Sequence, residues 1–207
     1  MHSEEQAEQA MNELSDRVYT ALRDGGLDAE SVLELACLFE VWDVSTPATR
    51  ELLDRSAADL TPPDLARLGK GLLVETRFEP SFALEPRLLS ALEQALEVVE
   101  RDVRARGITG AFRLITSDGG SLAWVEFQGG YRGSAGIRPP IFDGDIHVPL
   151  GEVADIVQET IMDLTGKVWP VCATHNRGLH VGWDQERTVW RCTGDGAHTV
   201  APVGELP

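Results

Sequence analysis

Apolar residues in the first half of the chain recur at three- and four-residue spacings, the period of an amphipathic helix. Five such stripes follow one another. The most regular are the first and the fifth, with members Met11, Leu14, Val18 and Leu22, and Leu88, Leu92, Leu96, Val99 and Val103. Gly25 and Gly107 follow these two stripes, where a helix end needs left-handed backbone geometry. The pattern therefore predicts an all-helical bundle domain over residues 8–106.

Helix-start signals divide this region further. Asp28 is placed to cap the second helix, and Thr46-Pro47 and Thr61-Pro62 have the same form. In each Thr-Pro pair the hydroxyl can accept from the first free amides, while proline occupies the first helical position. Pro86 opens the fifth helix. The sequence thus predicts where the second to the fifth helix begin.

After Gly107 the hydrophobic period shortens and the pattern favours strands. The extended runs are Phe112–Ile115, Leu122–Phe127, a third within Ile141–Val148, then Lys167–Val171 and runs around Val181–Trp183 and Thr188–Arg191. Ser117–Gly120 has hairpin-turn composition. A helical stripe from Val153 to Leu164 ends at Gly166. We predict an α+β domain over 107–207, with one helix packed on a small antiparallel sheet and a ribbon-like tail over 167–207.

The tail carries two pairs of residues that favour metal binding. Cys172 and His175 form one pair, and Cys192 and His198 form the other beyond a predicted hairpin. Thiolates and imidazoles suit Zn²⁺, and a tetrahedral site needs four such groups converging from two turns. These four residues are the predicted ligands, with His180 as the substitute for His198. With every position filled by protein, the zinc would be structural.

The cysteines also admit simpler interpretations. Cys172 and Cys192 could be small buried residues facing each other on neighbouring strands. They could form a disulfide if the protein were exported. Cys37 lies on the apolar stripe of the second helix, where core packing is the expected role.

The same tail resembles a known sequence signature. It contains Trp169-Pro170-x-Cys172-x2-His175, Trp190-x-Cys192 and a final stretch from Val200 to Leu206. This pattern is similar to the W-P-x-C-P-x-H, W-x-C-P and A-x-I-G-x-L signature of short uncharacterised actinobacterial proteins. The similarity covers about the last fifty-five residues, with Ala173 and Thr193 where the pattern has proline. The resemblance implies a cytoplasmic bacterial protein with a ribbon-like tail and no established activity.

A second group could carry chemistry. Asp143, Asp145 and His147 alternate, which would place two carboxylates and an imidazole on one face of a strand. A plain Asp-Gly turn is the competing interpretation. The neighbouring stretch Gly129–Gly136 could offer amides to an anion, but it lacks the lysine and spacing of a phosphate loop. The sequence holds no nucleophile elbow, Walker motif or dinucleotide fingerprint.

Composition limits the partners. Hydrophobic residues make up 43% of the 207 and charged residues 25%, as in globular proteins. The formal charge of −16 argues against direct binding to nucleic acid or anionic membranes. Residues 1–107 carry 22 acids and 11 bases, residues 108–207 carry 12 and 7. Three cysteines and an acidic N-terminus without an apolar stretch predict a cytoplasmic protein.

Three functions fit these observations. The first is a non-catalytic protein–protein interaction or adaptor protein, with a structural zinc site and a protein partner that could be basic. The second is a metal-assisted hydrolase that uses Asp143, Asp145 and His147. The third is an acidic inhibitor, such as an immunity protein or a nucleic-acid mimic. The sequence leaves the partner and the oligomeric state open.

Overall fold

The computed structural model describes residues 2–131, 136–141 and 149–207, which form two compact units. The first unit contains residues 2–80 with Pro140 and Ile141. The second contains residues 81–131, 136–139 and 149–207. The third strand predicted within Ile141–Val148 lies outside the described residues beyond Ile141.

The first unit is helical, as its stripes predict. Its helices are α1 (His2–Asp24), α2 (Ala29–Val41), α3 (Pro47–Asp54) and α4 (Pro62–Glu75), with a 3₁₀ turn at Ala57–Asp59. The core consists of aliphatic residues from all four helices that are at most 1% exposed: Val18, Val32, Leu35, Leu52, Leu68, Leu72 and Leu73. Among the described residues, no helix of either unit combines the length and apolar character needed to cross a membrane.

The predicted helix starts of this unit are confirmed. Asp28 accepts a hydrogen bond from the Ser31 amide, and Thr46 accepts one from the Thr49 amide. Thr61 and Asp64 form a reciprocal capping box, in which each side chain accepts from the other residue's amide. Such caps satisfy amides that the helix itself leaves without acceptors.

The prediction of core packing for Cys37 is wrong. Its side chain is exposed, although its neighbours Leu35, Ala36 and Phe39 are buried. The buried face of α2 follows positions 32, 35, 36 and 39, and each residue turns about 100° around a helix axis. Cys37 therefore lies just beyond the edge of the apolar stripe.

Within the described residues, the second unit contains the other two helices and all of the strands. Its elements are α5 (Pro86–Ala105), β1 (Phe112–Thr116), β2 (Ala123–Phe127), α6 (Pro149–Thr165), β3 (Leu179–Asp184), β4 (Arg187–Cys192) and β5 (His198–Pro202). The α+β class is confirmed.

Helix α5 lies in this second unit, although the predicted bundle over 8–106 included it. Its buried residues Leu92, Leu96 and Val99 share one hydrophobic core with α6, β2 and β4. The compact unit thus begins at Ser81 and not at residue 107. An apolar stripe shows that a helix face is buried, but it does not show which element covers that face.

The strands form two small antiparallel sheets where the sequence suggested one. β1 pairs with β2 across the predicted turn, with Phe112 opposite Phe127. The other sheet has the order β3-β4-β5, with a register shift at Trp190/Arg191. The sequence pattern did not predict strand β5, because its short run of residues lacks a strong alternation. This second sheet carries the end of the chain back to α5.

A buried carboxyl group fastens the end of the chain to α5. Asp102 is fully buried, and its two oxygens accept three hydrogen bonds. The donors are the Trp190 indole at 2.7 Å, the Gly204 amide at 2.6 Å and the Leu206 amide at 2.7 Å. Three donors satisfy a buried carboxylate, which would otherwise be costly to remove from water. One side chain thus joins a helix, a strand and the terminal segment.

The close approach at this point requires glycine. Gly204 has a φ of +90°, and a Cβ atom there would lie 2.5 Å from Cγ1 of Val98 on α5. Any other side chain would push the terminal segment away from the helix. Backbone packing against α5 therefore accounts for a glycine at position 204.

We expect Asp102→Ala to destabilise the second unit strongly. The substitution leaves three N–H donors without this acceptor, two of them buried, and each unmet buried donor costs about 1–3 kcal/mol. The free energy of unfolding should fall by about 3 kcal/mol or more, measured by denaturant titration of tryptophan fluorescence. Glu97→Ala, an exposed acidic residue on the same helix, is the matched control. Equal stability of the two variants would contradict this role for Asp102.

Candidate metal centre

Two tight turns bring the predicted ligands together. The first turn holds Cys172 and His175. The Cys172 amide donates to the Arg177 carbonyl at 2.8 Å, and the Asn176 amide donates to the Cys172 carbonyl at 2.9 Å. The Leu179 amide then donates to the Pro170 carbonyl at 2.8 Å and closes the base of the turn.

The second turn joins β4 to β5. Cys192 is the last residue of β4 and His198 the first of β5, and they are direct cross-strand partners. The turn between them therefore contains five residues, 193–197. Strand pairing alone places this thiol and this imidazole side by side.

The four side chains converge on one point. Nδ1 of His175 lies 3.3 Å from Sγ of Cys192 and 3.8 Å from Sγ of Cys172. Nε2 of His198 lies 3.8 Å from Sγ of Cys172, and all four ligand atoms lie within 4.8 Å of one another. A tetrahedral ion with bonds of about 2.3 Å to sulfur and 2.0–2.1 Å to nitrogen has S···N edges of roughly 3.5 Å. Cys172, His175, Cys192 and His198 could therefore bind a metal ion.

Backbone amides favour the thiolate form of Cys172. The amides of His175 and Thr174 donate to its sulfur, with the His175 amide contributing most, and lower the pKa of the thiol to about 6 although burial opposes this. The second sulfur has a similar donor, because the Gly194 amide lies 3.4 Å from Sγ of Cys192. Amide donors to sulfur suit a metal-binding thiolate, since a metal binds the deprotonated form.

A hydrogen bond of Nδ1 of His198 determines that Nε2 is the ring nitrogen that faces the centre. Nδ1 lies 3.3 Å from the Gly196 carbonyl oxygen, which can only accept a hydrogen bond. Nδ1 must then carry the proton, and Nε2 presents its lone pair to Cys172 and the centre. Such a hydrogen bond to the second ring nitrogen is usual for histidine ligands.

Neighbouring residues leave little room for the ligands to move. A Cβ atom on Gly194 would lie 3.1 Å from the ring of His175, so the glycine makes space for that imidazole. Gln158 of α6 is buried, and its amide nitrogen donates to the carbonyls of Trp169 at 2.9 Å and Leu179 at 2.6 Å. These two bonds hold both ends of the first turn against α6.

Gln158 was not predicted from the sequence. It lies next to Val157 on the buried side of α6, and a polar residue at such a position signals a buried hydrogen bond. The sequence therefore indicates that Gln158 forms a buried hydrogen bond, but it does not show which carbonyl groups accept that bond.

His180, the predicted substitute ligand, lies away from the centre. It is exposed on β3 opposite Arg191, and the cluster does not include it. Residues alternate between the two faces of a strand, and the buried neighbour Leu179 occupies the inner face. The structure therefore favours His198 as the fourth ligand.

The other sequence candidates are not described by the structure. Asp143, Asp145 and His147 lie outside the described residues, as do residues 132–135 of the glycine-rich stretch. Comparison with protein-family models, curated proteins and solved structures finds no match. The centre is therefore interpreted from its own geometry and donor chemistry.

We expect His198→Ala to weaken metal binding by more than about 100-fold, because loss of an outer-shell partner alone costs 10- to 100-fold. His180→Ala should bind like the unaltered chain and is the matched control. Competition between the protein and a chromophoric chelator for Co²⁺ measures both. Loss of binding in His180→Ala with retention in His198→Ala would show that the ligand set is wrong.

Proposed function

We propose that the second unit binds one structural zinc ion through Cys172, His175, Cys192 and His198. The observation that carries this proposal is the convergence of two sulfurs and two imidazole nitrogens within 4.8 Å of one another. Two thiolates with two imidazoles match the ligands of structural zinc sites, which are tetrahedral and four-coordinate. Hard cations such as Mg²⁺ or Ca²⁺ would need oxygen ligands, and the cluster contains none.

The role of the ion is structural because the protein supplies four ligands. Catalytic zinc sites keep one position open for water or substrate. Here the sulfurs are at most 1% exposed, and the four protein donors complete a tetrahedron. The centre therefore fixes the shape of the tail.

The two turns gain most from such an ion. Residues 170–178 and 193–197 contain few large apolar side chains, so burial alone contributes little to their order. The ion would join the first turn to the β4–β5 connection. It would thereby hold residues that are far apart in sequence, as structural zinc does in small domains.

We propose further that the chain is a non-catalytic interaction or adaptor protein with a basic protein partner. Residues 1–80 contain 17 acidic and 7 basic residues. Several of these bases are already paired, as in Arg55–Asp64 and Arg67–Glu51. The acidic excess thus remains as a negative field over the helical unit, and such a field attracts positively charged surfaces.

Metal analysis tests the structural zinc. We expect about one zinc ion per purified chain by mass spectrometry, and loss of that zinc in Cys172→Ser and Cys192→Ser because each removes a thiolate ligand. Cys37→Ser is the matched control, since this cysteine is exposed on α2 and outside the cluster. It should retain full zinc.

The same measurement distinguishes the structural zinc site from the alternative function, a metal-assisted hydrolase. Metal that survives Cys172→Ser but disappears in Asp145→Asn would contradict the proposal and favour chemistry at Asp143, Asp145 and His147. Zinc lost equally from the Cys37→Ser control would show that the substitutions act through general instability.

Partner binding should depend strongly on salt. A complex formed by an acidic surface and a basic partner should weaken at least about tenfold between about 50 mM and 500 mM NaCl, because screening shortens the reach of the attraction. Partners captured from the native host and then purified can be measured by calorimetry at both salt concentrations. An affinity indifferent to ionic strength would contradict a charge-driven interface.

A further inference from the structure

The second unit contains a cavity of about 490 Å³ whose lining includes none of the four metal ligands. It lies where three elements end: the loop after α5, the end of β2 and the segment after α6. Arg106, Thr109, Gln128, Lys167, Val168 and Trp169 are among its lining residues. Its volume is within the range of small-molecule sites, about 300–1,000 Å³.

The charge of this cavity is opposite to that of the chain. Arg106 and Lys167 line it, and no acidic residue does so among the described part of the chain. Acids outnumber bases by 34 to 18 overall, and the whole sequence contains two lysines. The side chains of the described lining therefore carry two positive charges and no negative charge.

Two buried donors in the lining of this cavity lack acceptors. Neither Arg106 nor Lys167 forms a side-chain hydrogen bond or ion pair with the described residues. Nε of Arg106 and Nε1 of Trp169 are buried N–H groups without a partner, and Trp169 is 4% exposed. Unmet buried donors are uncommon in folded proteins and need an explanation. Each of these groups can donate, and none can accept.

The C-terminal ends of α5 and α6 also lie at this cavity. Each of them offers an alternative reason for the basic residue that follows it. α5 ends at Ala105 and α6 at Thr165, and basic side chains near such ends interact favourably with the helix dipole. A side chain in that role usually donates to the last carbonyls. Arg106 and Lys167 do not, so their donors stay available to another group.

Apolar residues in the same lining indicate that a ligand of this cavity would also have an apolar part. Val168 is 58% exposed although it lines the cavity, and the half-buried Ile108 belongs to the same lining. A ligand with an apolar body would cover this surface, and burial of apolar area is favourable.

We propose that this cavity binds a small organic anion: a carboxylate held by Arg106 and Lys167, attached to a flat apolar body that packs against Val168 and Ile108. No ligand of the metal centre lines the cavity, so the two sites can be altered by different substitutions.

Calorimetric titration with naphthalene-2-carboxylate tests the proposal on the full chain. The matching neutral probe is naphthalene-2-carboxamide, which has the same body without the charge. We expect the carboxylate to bind at least about tenfold more tightly than the carboxamide, because the amide loses the attraction to both cations. Equal affinities, or no binding of the carboxylate at millimolar concentration, would overturn the proposal.

Variants locate the binding. Lys167→Gln and Arg106→Gln should each weaken carboxylate binding about tenfold and leave carboxamide binding unchanged. Val168→Asp should abolish carboxylate binding, since it places a like charge in an exposed position of the lining. Arg101→Gln, an exposed arginine of α5 outside the cavity, is the matched control.

Lys167 is exposed, so its substitution tests the site without disturbing the core. Retained carboxylate affinity in Lys167→Gln and Arg106→Gln would place the binding elsewhere and overturn the proposal. Zinc content measured on the same samples separates this result from any failure of the metal centre.

Discussion

The fold of the second unit depends on one buried carboxyl group. Asp102 gathers an indole N–H from β4 and two amides from the terminal segment. Because β4 ends at Cys192 and β5 begins at His198, this interaction also fixes the strands that carry half of the metal centre. Without those donors the carboxyl group would be buried at a large cost in free energy. The position of α5 and the position of the terminal segment therefore depend on each other.

Gln158 plays the matching part for the other half of the centre. Its amide holds the carbonyls at both ends of the first turn, while Trp169 packs edge-on against Trp190 at 5.5 Å. Two polar side chains on two helices therefore orient two turns that have little core of their own. A metal bound between the turns would complete an arrangement that the helices have already brought close to its final geometry, which lowers the ordering cost of binding.

Local features of the fold were predictable, and non-local ones were not. The Thr46 and Thr61 caps and the pairing of cysteine with histidine at each turn depend on residues a few positions apart, and sequence spacing records such distances directly. The hydrogen-bond partners of Asp102 lie 88 to 104 residues away along the chain, and the assignment of α5 to the second unit depends on its packing against later elements such as α6. A stripe of apolar residues is compatible with many such partners, so periodicity cannot choose among them. Cys37 shows the same limit on a smaller scale, because one residue step moves a side chain off the buried face.

The satisfaction of polar groups distinguishes the metal centre from the cavity. At the metal centre the four ligand atoms lie close to one another. The second ring nitrogen of His198 has a hydrogen-bond acceptor in the Gly196 carbonyl. In the cavity lining, the buried groups without a partner are both donors, Nε of Arg106 and Nε1 of Trp169. A folded chain rarely leaves buried donors unmet unless another molecule supplies the acceptor. Acids outnumber bases by 22 to 11 in residues 1–107, so a cavity whose described lining has two basic and no acidic side chains is better explained by an anionic ligand than by surface composition.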